Sequence, residues 1–347
     1  MNSTASSHSN HTSTECEVVI FLGGRPDRSA TFTHMMLVFV IVMNIITCPI
    51  TTVLNALVMF AVKTKPRLKT KSNVALGCLA STDCIMGVIG QPLFSAEIAV
   101  ILQGEASSTY CMVIKLAKEL LRVLALVSLF HLALMNVERY IAIKHPFAYL
   151  NMVSGLRILC SSALAWIAAV LSTVPLAIMN NNIYLTVNNI MLSFCITITI
   201  YCQVVLCVKT RRHEKQLASQ QVSQEGRQKF LKEKKAFKVT TTVLLVLVLS
   251  YTPLMVVRIL IVKSVIDSVN EAYIFFFTTS SVLLLNSLFN PLIYCVRIKY
   301  FRTAFIEMVL RNNSAQADEF QMRVFRSLNA VAPLEQQQDR VESQNNE

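Results

Sequence analysis

The chain of 347 residues is 54% hydrophobic and only 15% charged, well below the roughly 25% charge of an ordinary soluble domain. Its formal net charge of +12 would suit nucleic acid, but the basic residues fall between long apolar blocks. That pattern excludes nucleic acid as the partner, and a conventional soluble enzyme with it.

Seven apolar blocks follow one another at 33–62, 72–102, 110–143, 156–179, 183–208, 235–262 and 272–296. Each is close to the ~20 residues that cross a ~30 Å hydrocarbon core. Backbone polar groups in lipid must be satisfied within the segment, and these blocks are too long and continuous for barrel strands. An all-α bundle of seven membrane spans is therefore predicted. Lys63, Lys65, Arg67, Lys69 and Lys71 fill the first connection, Lys144 and Arg157 flank the third, and the fifth is basic from Lys209 to Lys238. Basic connections stay cytoplasmic, so the N-terminus is expected outside and the C-terminus inside, in the plasma membrane. The expected organisation is an extracellular tail over 1–32, a transmembrane bundle over 33–298, an amphipathic eighth helix over 299–311 and a disordered cytoplasmic tail over 312–347.

The tail carries sequons at Asn2 and Asn10, where glycosylation would fit an extracellular side. It lacks the pattern of a signal peptide, so the first span is expected to serve as the signal. Cys16 and Cys111 are the two cysteines placed in the oxidising space. A disulfide between them and two separate thiols are both compatible with the sequence.

The first span contains Asn55, and the second places Asp83 near mid-bilayer, where an ionisable group costs at least ~2.5 kcal/mol on insertion scales. Asp83 is thus a functional candidate, against the alternative of a protonated acid that only joins helices. The outer half of the third span holds Lys115, Lys118, Glu119 and Arg122. The i,i+4 spacing lets Lys115 and Glu119 form a salt bridge and stacks Lys118 and Arg122 on one face. Glu138-Arg139-Tyr140 closes this span, with an arginine beside its own counter-ion in the manner of a latch. His131 reads as a packed residue.

Pro146-Phe147 follows in the second inner connection, and Trp166 lies in the fourth span. Asn180-Asn181-Asn182 leaves a very short second outer connection. The fifth span bears Asn188, Asn189 and Tyr201 and runs into a basic extension. Glu233 stands alone as an acid in the basic start of the sixth span, with Pro253 and Arg258 further out. Proline removes a backbone hydrogen bond, so Pro253 is a predicted kink. The seventh span ends in Asn286-Ser287-Leu288-Phe289-Asn290-Pro291-Leu292-Ile293-Tyr294. Charge and aromatic residues alternate from Arg297 to Phe305, as in an interfacial helix.

Asn55, Leu79-Ala80-x-x-Asp83, Glu138-Arg139-Tyr140, Trp166, Pro253 and Asn290-Pro291-x-x-Tyr294, in this order on successive spans, resemble the rhodopsin-like (class A) G-protein-coupled receptors. The resemblance implies that Asp83, Ser128, Asn286, Ser287 and Asn290 form an allosteric sodium pocket; a water-filled network without a fixed ion is the alternative. It implies no other cofactor. Arg139 would be held at rest by Glu138 and Glu233. The sixth span would then swing outward about Pro253, with Pro291 opening the seventh, while Tyr201 and Tyr294 catch the arginine. Pro146 and Phe147 would insert into a heterotrimeric G protein. Arrestin, a receptor kinase, membrane lipids and an extracellular ligand complete the implied partners.

Departures from the family pattern concentrate at the outer end. Ile114 stands where a loop-bonded cysteine is common, Ser193 where the fifth span usually has proline, Tyr251 in place of tryptophan and Leu247 in place of phenylalanine. The missing loop disulfide and short second outer connection resemble the melanocortin receptors, although Leu93, Ile114 and Lys118 replace their acidic cluster. The inner flank of the fifth span is weakly similar to adenosine receptors. Leu121 occupies the place of the amine-binding acid, while Glu97, Lys118, Arg122, Asn188, Asn189, Tyr251 and Arg258 complete the candidate ligand pocket. Two readings stand: an anionic ligand, lipid or peptide, bound by the cations, or cations neutralised by Glu97 and Glu119. The competing function is an ion transporter or channel using the Asp83 polar core, which internal repeats would favour. None is visible, and no catalytic constellation appears, so no enzyme is expected.

Overall fold

The structure, a computed structural model, describes residues 22, 24, 26–27, 29–103, 108–179, 181–219, 224–309, 316 and 319. Among these, the side chains of 108–113, 146, 174–179, 181–189, 191–193, 213–219 and 224–237 lie outside the description.

The helices in chain order are α1 (Thr31–Thr64), α2 (Lys71–Ile85), α3 (Gln91–Gln103), α4 (Ser108–Lys144), α5 (Pro146–Met152), α6 (Gly155–Met179), α7 (Asn181–Ser219), α8 (Gln224–Val262), α9 (Val269–Arg297) and α10 (Lys299–Val309). A π-helical turn, Met86–Gly90, joins α2 to α3 as one span, and a 3-10 turn, Pro66–Leu68, links α1 to α2. Seven of the described helical stretches are long and apolar enough to cross a membrane. The chain is therefore a multi-pass all-α membrane bundle.

Local chemistry explains where the helices stop and start. Thr70 Oγ1 accepts from the Asn73 N–H and caps α2. Ser268 caps α9, with Glu271 at its third position to meet the positive end of the helix dipole. In α1 the buried residues Leu37, Val40, Asn44, Thr47, Thr51, Asn55 and Val58 recur every three or four positions, the spacing of one helix face. Its other faces expose Phe39, Ile45, Ile46 and Phe60, side chains that only lipid can solvate at no cost.

The bundle packs in two apolar layers. One, toward the end carrying the basic connections, includes Leu79, Leu132, Val243, Leu247 and Tyr294. The other, at the opposite end, includes Leu37, Phe94, Ile98, Leu124, Tyr273 and Phe277. The third span, α4, touches the second, fourth, fifth and sixth spans and so forms the central post. Gly87 lets α1 and the second span close up: a Cβ there would lie 2.6 Å from Thr52 Oγ1. Helix α10 folds back against α1 and the 3-10 turn and buries Phe301, Ala304 and Phe305.

Two details go beyond the apolar blocks and the helical spacing. Helix α7 continues to Ser219 and α8 begins at Gln224, 11 residues beyond the apolar ends at 208 and 235 in each case. Hydropathy marks the lipid boundary, whereas Lys, Arg, Gln and Glu beyond it are good helix formers. Glu119 pairs with Arg122, 2.5 Å away at i,i+3, where the sequence also offers Lys115 at i,i+4. Both spacings bring side chains together on a helix, and the guanidinium supplies the stronger, forked donor.

Candidate functional site

The latch residues sit where α2, α4 and α5 meet. Glu138 is 4% exposed, and its two oxygens are divided between neighbours. Oε2 faces Arg139 Nε at 3.2 Å, while Oε1 accepts from Ser72 Oγ at 2.8 Å and from the Tyr149 hydroxyl at 2.6 Å. A buried carboxylate needs such donors to remain charged. Tyr149 on α5 benefits in turn: burial, then the Glu138 carboxylate, pushes its phenol up to about 12, so it stays a donor at neutral pH. Lys71 lies over the same ring, 5.0 Å from its centroid. Tyr140 instead accepts from Lys144, one turn on.

Tyr294 is fully buried, its ring tilted 37° against Phe301 with centroids 6.0 Å apart, whereas Tyr201 is 60% exposed on the outer face of α7. Neither forms a hydrogen bond with Arg139. Pro146 begins α5, and Phe147 beside it is 88% exposed, an apolar ring left in solvent at this end of the bundle. Glu233 falls within α8, but its side chain lies outside the described residues.

A polar chain one to two turns further into the membrane is absent from the sequence expectations. Gln203 on α7 donates from Nε2 to Asn136 Oδ1 on α4, and its Oε1 accepts from Thr241 Oγ1 on α8 at 3.2 Å. Three spans are thereby tied together beside the latch. His131 is buried, as a packed residue should be, and adds bonds of its own: Nδ1 meets Thr82 Oγ1 at 3.1 Å and Nε2 meets Ser162 Oγ at 2.7 Å, joining the second, third and fourth spans. Lone polar residues in apolar blocks were the signal available for the Gln203 chain.

At mid-bundle Asp83 is fully buried. Ser287 Oγ donates to Oδ1 at 2.8 Å and Asn290 Nδ2 to Oδ2 at 2.7 Å. Ser128 and Asn286 are buried without a hydrogen bond to this carboxylate. Asn286 Oδ1 and Asn290 Oδ1 are buried without a hydrogen-bond partner. A carboxylate with unspent amide oxygens fits a small hard cation, which prefers oxygen ligands.

At the other end, Glu97 is buried and pairs with Lys118 at 3.3 Å, bridging α3 to α4. Arg122 pairs with Glu119, and Arg258 lies over the Phe276 ring, 5.9 Å from its centroid. Leu121 packs beside Gly90, where an added Cβ would sit 3.1 Å from it. Tyr251 is buried in the inner apolar layer. The side chains of Asn188 and Asn189 lie outside the described residues, as do Asn2, Asn10, Cys16 and the Cys111 side chain. Described residues of the N-terminal segment contact this end of the bundle. Leu22 is buried against the outer layer, Tyr273 donates to the Gly24 carbonyl at 3.1 Å, and the Asp27 N–H donates to Asn270 Oδ1 at 2.9 Å.

Seven spans, a central third helix and a polar network at its basic end define a seven-helix membrane receptor. The family model described as "7 transmembrane receptor (rhodopsin family)" matches residues 54–294, and the chain belongs to that family. It is 24% identical over 280 residues to the allatostatin-A receptor of Bombyx mori, covering 72% of this chain and 74% of that protein. It is 30% identical over 125 residues to G-protein coupled receptor 84 of Bos taurus, covering 36% of this chain and 31% of that protein. Somatostatin receptor type 5 of Rattus norvegicus is 28% identical over 141 residues, 41% of this chain and 38% of its own. The family is not enzymatic in general, and it gives the ion-transporter reading of Asp83 no support.

Proposed function

We propose that this protein is a ligand-activated exchange factor for heterotrimeric G proteins, with its basic end in the cytoplasm of a plasma-membrane cell surface and its glycosylated N-terminus outside. The observation that carries the reading is the Glu138–Arg139 pair, braced by Ser72 and Tyr149. An arginine held this way is a stored donor that a partner can claim once the sixth span moves outward about Pro253. Glu233, Tyr201, Tyr294, Pro146 and Phe147 take the roles the family resemblance implies, and arrestin and a receptor kinase bind the same end. A ligand shifts this equilibrium only by its differential affinity for the two packings.

Asp83, with Ser287, Asn290 and Asn286, would hold a sodium ion, which would supply positive charge beside the buried carboxylate. Such a site favours the packing in which these residues converge.

The ligand enters from the opposite end and carries an acidic group. Lys118, Arg122 and Arg258 gather there with Glu97 and Glu119, and charge-assisted hydrogen bonds from such cations suit an acidic group. The pairs at Glu97 and Glu119 keep Lys118 and Arg122 oriented. Relatives named for allatostatin-A and for somatostatin are about equally distant, so likeness supports the receptor class and not a ligand.

The test is nucleotide exchange on a panel of purified G proteins with the full chain in lipid discs. Glu138→Gln is expected to raise unliganded exchange on at least one of them. Silence of both forms on every G protein would overturn the reading.

A further inference from the structure

The buried face of α1 is polar along much of its length. Asn44, Thr47, Thr51 and Asn55 recur every three or four residues and are all buried, so one polar stripe faces the second and seventh spans, against which α1 packs. Polar side chains at this depth are costly, and those that occur either join helices or mark ion paths. What their hydrogen bonds leave over decides between the two.

At the outer end of the stripe, Asn44 Nδ2 donates to the Val40 carbonyl and to Ser281 Oγ on α9, both at 2.8 Å, which spends both of its protons. Gln91 Nε2, at the start of α3, donates to Thr47 Oγ1 at 3.2 Å, and the Thr47 hydroxyl gives its own proton to the Met43 carbonyl at 2.8 Å. Asn44 Oδ1 and Gln91 Oε1 are buried and find no hydrogen-bond partner among the described residues. Thr51 Oγ1, one turn inward of Thr47, and Thr278 Oγ1, one turn outward of Ser281, are left the same way. Bonds that only joined helices would be complete with the amide nitrogens. An amide oxygen whose nitrogen is already tied cannot turn toward a donor, and a buried acceptor left bare is costly. These oxygens are matched by a guest that brings positive charge.

The π-turn accounts for how Gln91 comes to share this seam with Asp83. Eight residues of regular α-helix turn through about 800°, roughly 80° past two full turns. The turn at Met86–Gly90 absorbs about one residue, which leaves about 700° and brings Gln91 onto nearly the same face as Asp83, two turns further out. The stripe on α1 runs on to Asn55, whose Nδ2 donates to the Ser287 carbonyl at 3.0 Å, and Ser287 Oγ reaches Asp83.

We propose that Asn44, Thr47, Gln91 and Ser281 form a second cation site, outward of Asp83, that takes a monovalent ion such as sodium. Neutral carbonyl and hydroxyl oxygens replace the water shell of monovalent ions inside membranes. With no carboxylate among its ligands the site is too poor in charge for calcium, and magnesium gives up its water reluctantly. The bonds at the site join the first, second and seventh spans and leave the sixth free. Filling it therefore stabilises the bundle without setting the exchange rate, so its failure and that of the Asp83 reading are separable.

The experiment follows the unfolding temperature of the full chain in lipid discs as sodium replaces N-methylglucamine at constant ionic strength. Asp83→Asn, which removes the charge of the inner site, is expected to keep a rise of about 2–4 °C at 1 M sodium. Adding Gln91→Leu to that variant should abolish the rise. Adding Gln91→Glu instead supplies a charged ligand and should lower the half-saturating sodium about tenfold, a gain that a merely damaged fold does not produce. An Asp83→Asn protein equally stable in both cations, as expected if water alone meets these oxygens, would overturn the proposal. So would a sodium rise that neither Gln91 substitution alters.

Discussion

Gln203 on the fifth span accepts a hydrogen bond from Thr241 on the sixth, 3.2 Å away, while its amide nitrogen donates to Asn136 on the third. An outward swing of the sixth span has to break the first of these bonds and can leave the second. Removing it therefore weakens only one of the two packings. Thr241→Val keeps the shape and deletes the donor. A hydrogen bond contributes about 0.5–1.5 kcal/mol net, so unliganded nucleotide exchange is expected to rise roughly two- to tenfold. An unchanged basal rate would mean that the bond survives activation.

The brace on Glu138 makes a second, graded prediction. Tyr149→Phe removes one charge-assisted donor and leaves Ser72 and Arg139 in place, so its basal activity should fall between the wild type and Glu138→Gln. The sign of the pH dependence follows from the phenol. Its folded value, about 12, lies above the ordinary 10.0. The folded state holds the proton more firmly, and the associated stability is intact below pH 10 and lost between about 10 and 12. The activity difference between Tyr149→Phe and the wild type should therefore be flat across neutral pH, when exchange is followed at several values on one G protein.

The sodium reading concerns Asp83. Raising sodium in place of a larger monovalent cation is expected to lower unliganded exchange in the wild type. Asp83→Asn keeps the two donors from Ser287 and Asn290 but removes the charge, and should abolish the sodium dependence. A dependence that survives this substitution would place the ion elsewhere.

The spans, their order and the Glu138–Arg139 adjacency were legible because each is local: a run of apolar residues, or two neighbours in sequence. The polar chain through Gln203 was not. Asn136, Gln203 and Thr241 lie on three spans, and nothing in one sequence says which faces of those spans meet. Glu119 illustrates a finer limit, since i,i+3 and i,i+4 partners were both available and side-chain chemistry chose Arg122. The π-turn at Met86–Gly90 was hidden although Gly87 and Gly90 mark its place. The burial of Leu22 was hidden because the apolar run it ends, Val18-Val19-Ile20-Phe21-Leu22, is too short to mark a span, and burial there depends on an aromatic layer built by distant spans.

Gly87 offers a test of the close contact between the first two spans. An added methyl would meet Thr52 Oγ1 at 2.6 Å and the Thr52 backbone nitrogen at 3.0 Å. The hydroxyl can rotate away, but the backbone cannot without separating the helices. Gly87→Ala should cost about 1–3 kcal/mol as overpacking, seen as a lower unfolding temperature in detergent. Adding Thr52→Ser removes a methyl and not the backbone clash, so it should restore little of the loss.

The cover formed by the N-terminal segment yields the last prediction. Among the described residues it is held by Leu22 in the outer apolar layer, the Tyr273 hydroxyl on the Gly24 carbonyl, and the Asp27 N–H on Asn270. Tyr273→Phe deletes the middle one while keeping the ring against Phe277, 5.9 Å between centroids. Loss of a bond worth about 1 kcal/mol should raise amide hydrogen exchange at Leu22, Gly24 and Asp27 roughly fivefold, with exchange deeper in α9 unchanged. Acid should loosen the same segment. The Ser29 N–H and hydroxyl bond the Asp27 carboxylate and hold it below its ordinary value, so this turn contributes above that value and is lost as pH falls through the depressed one. Exchange normalised for its intrinsic pH dependence should therefore rise in acid in the wild type, and less so in Asp27→Asn, which has no charge to lose.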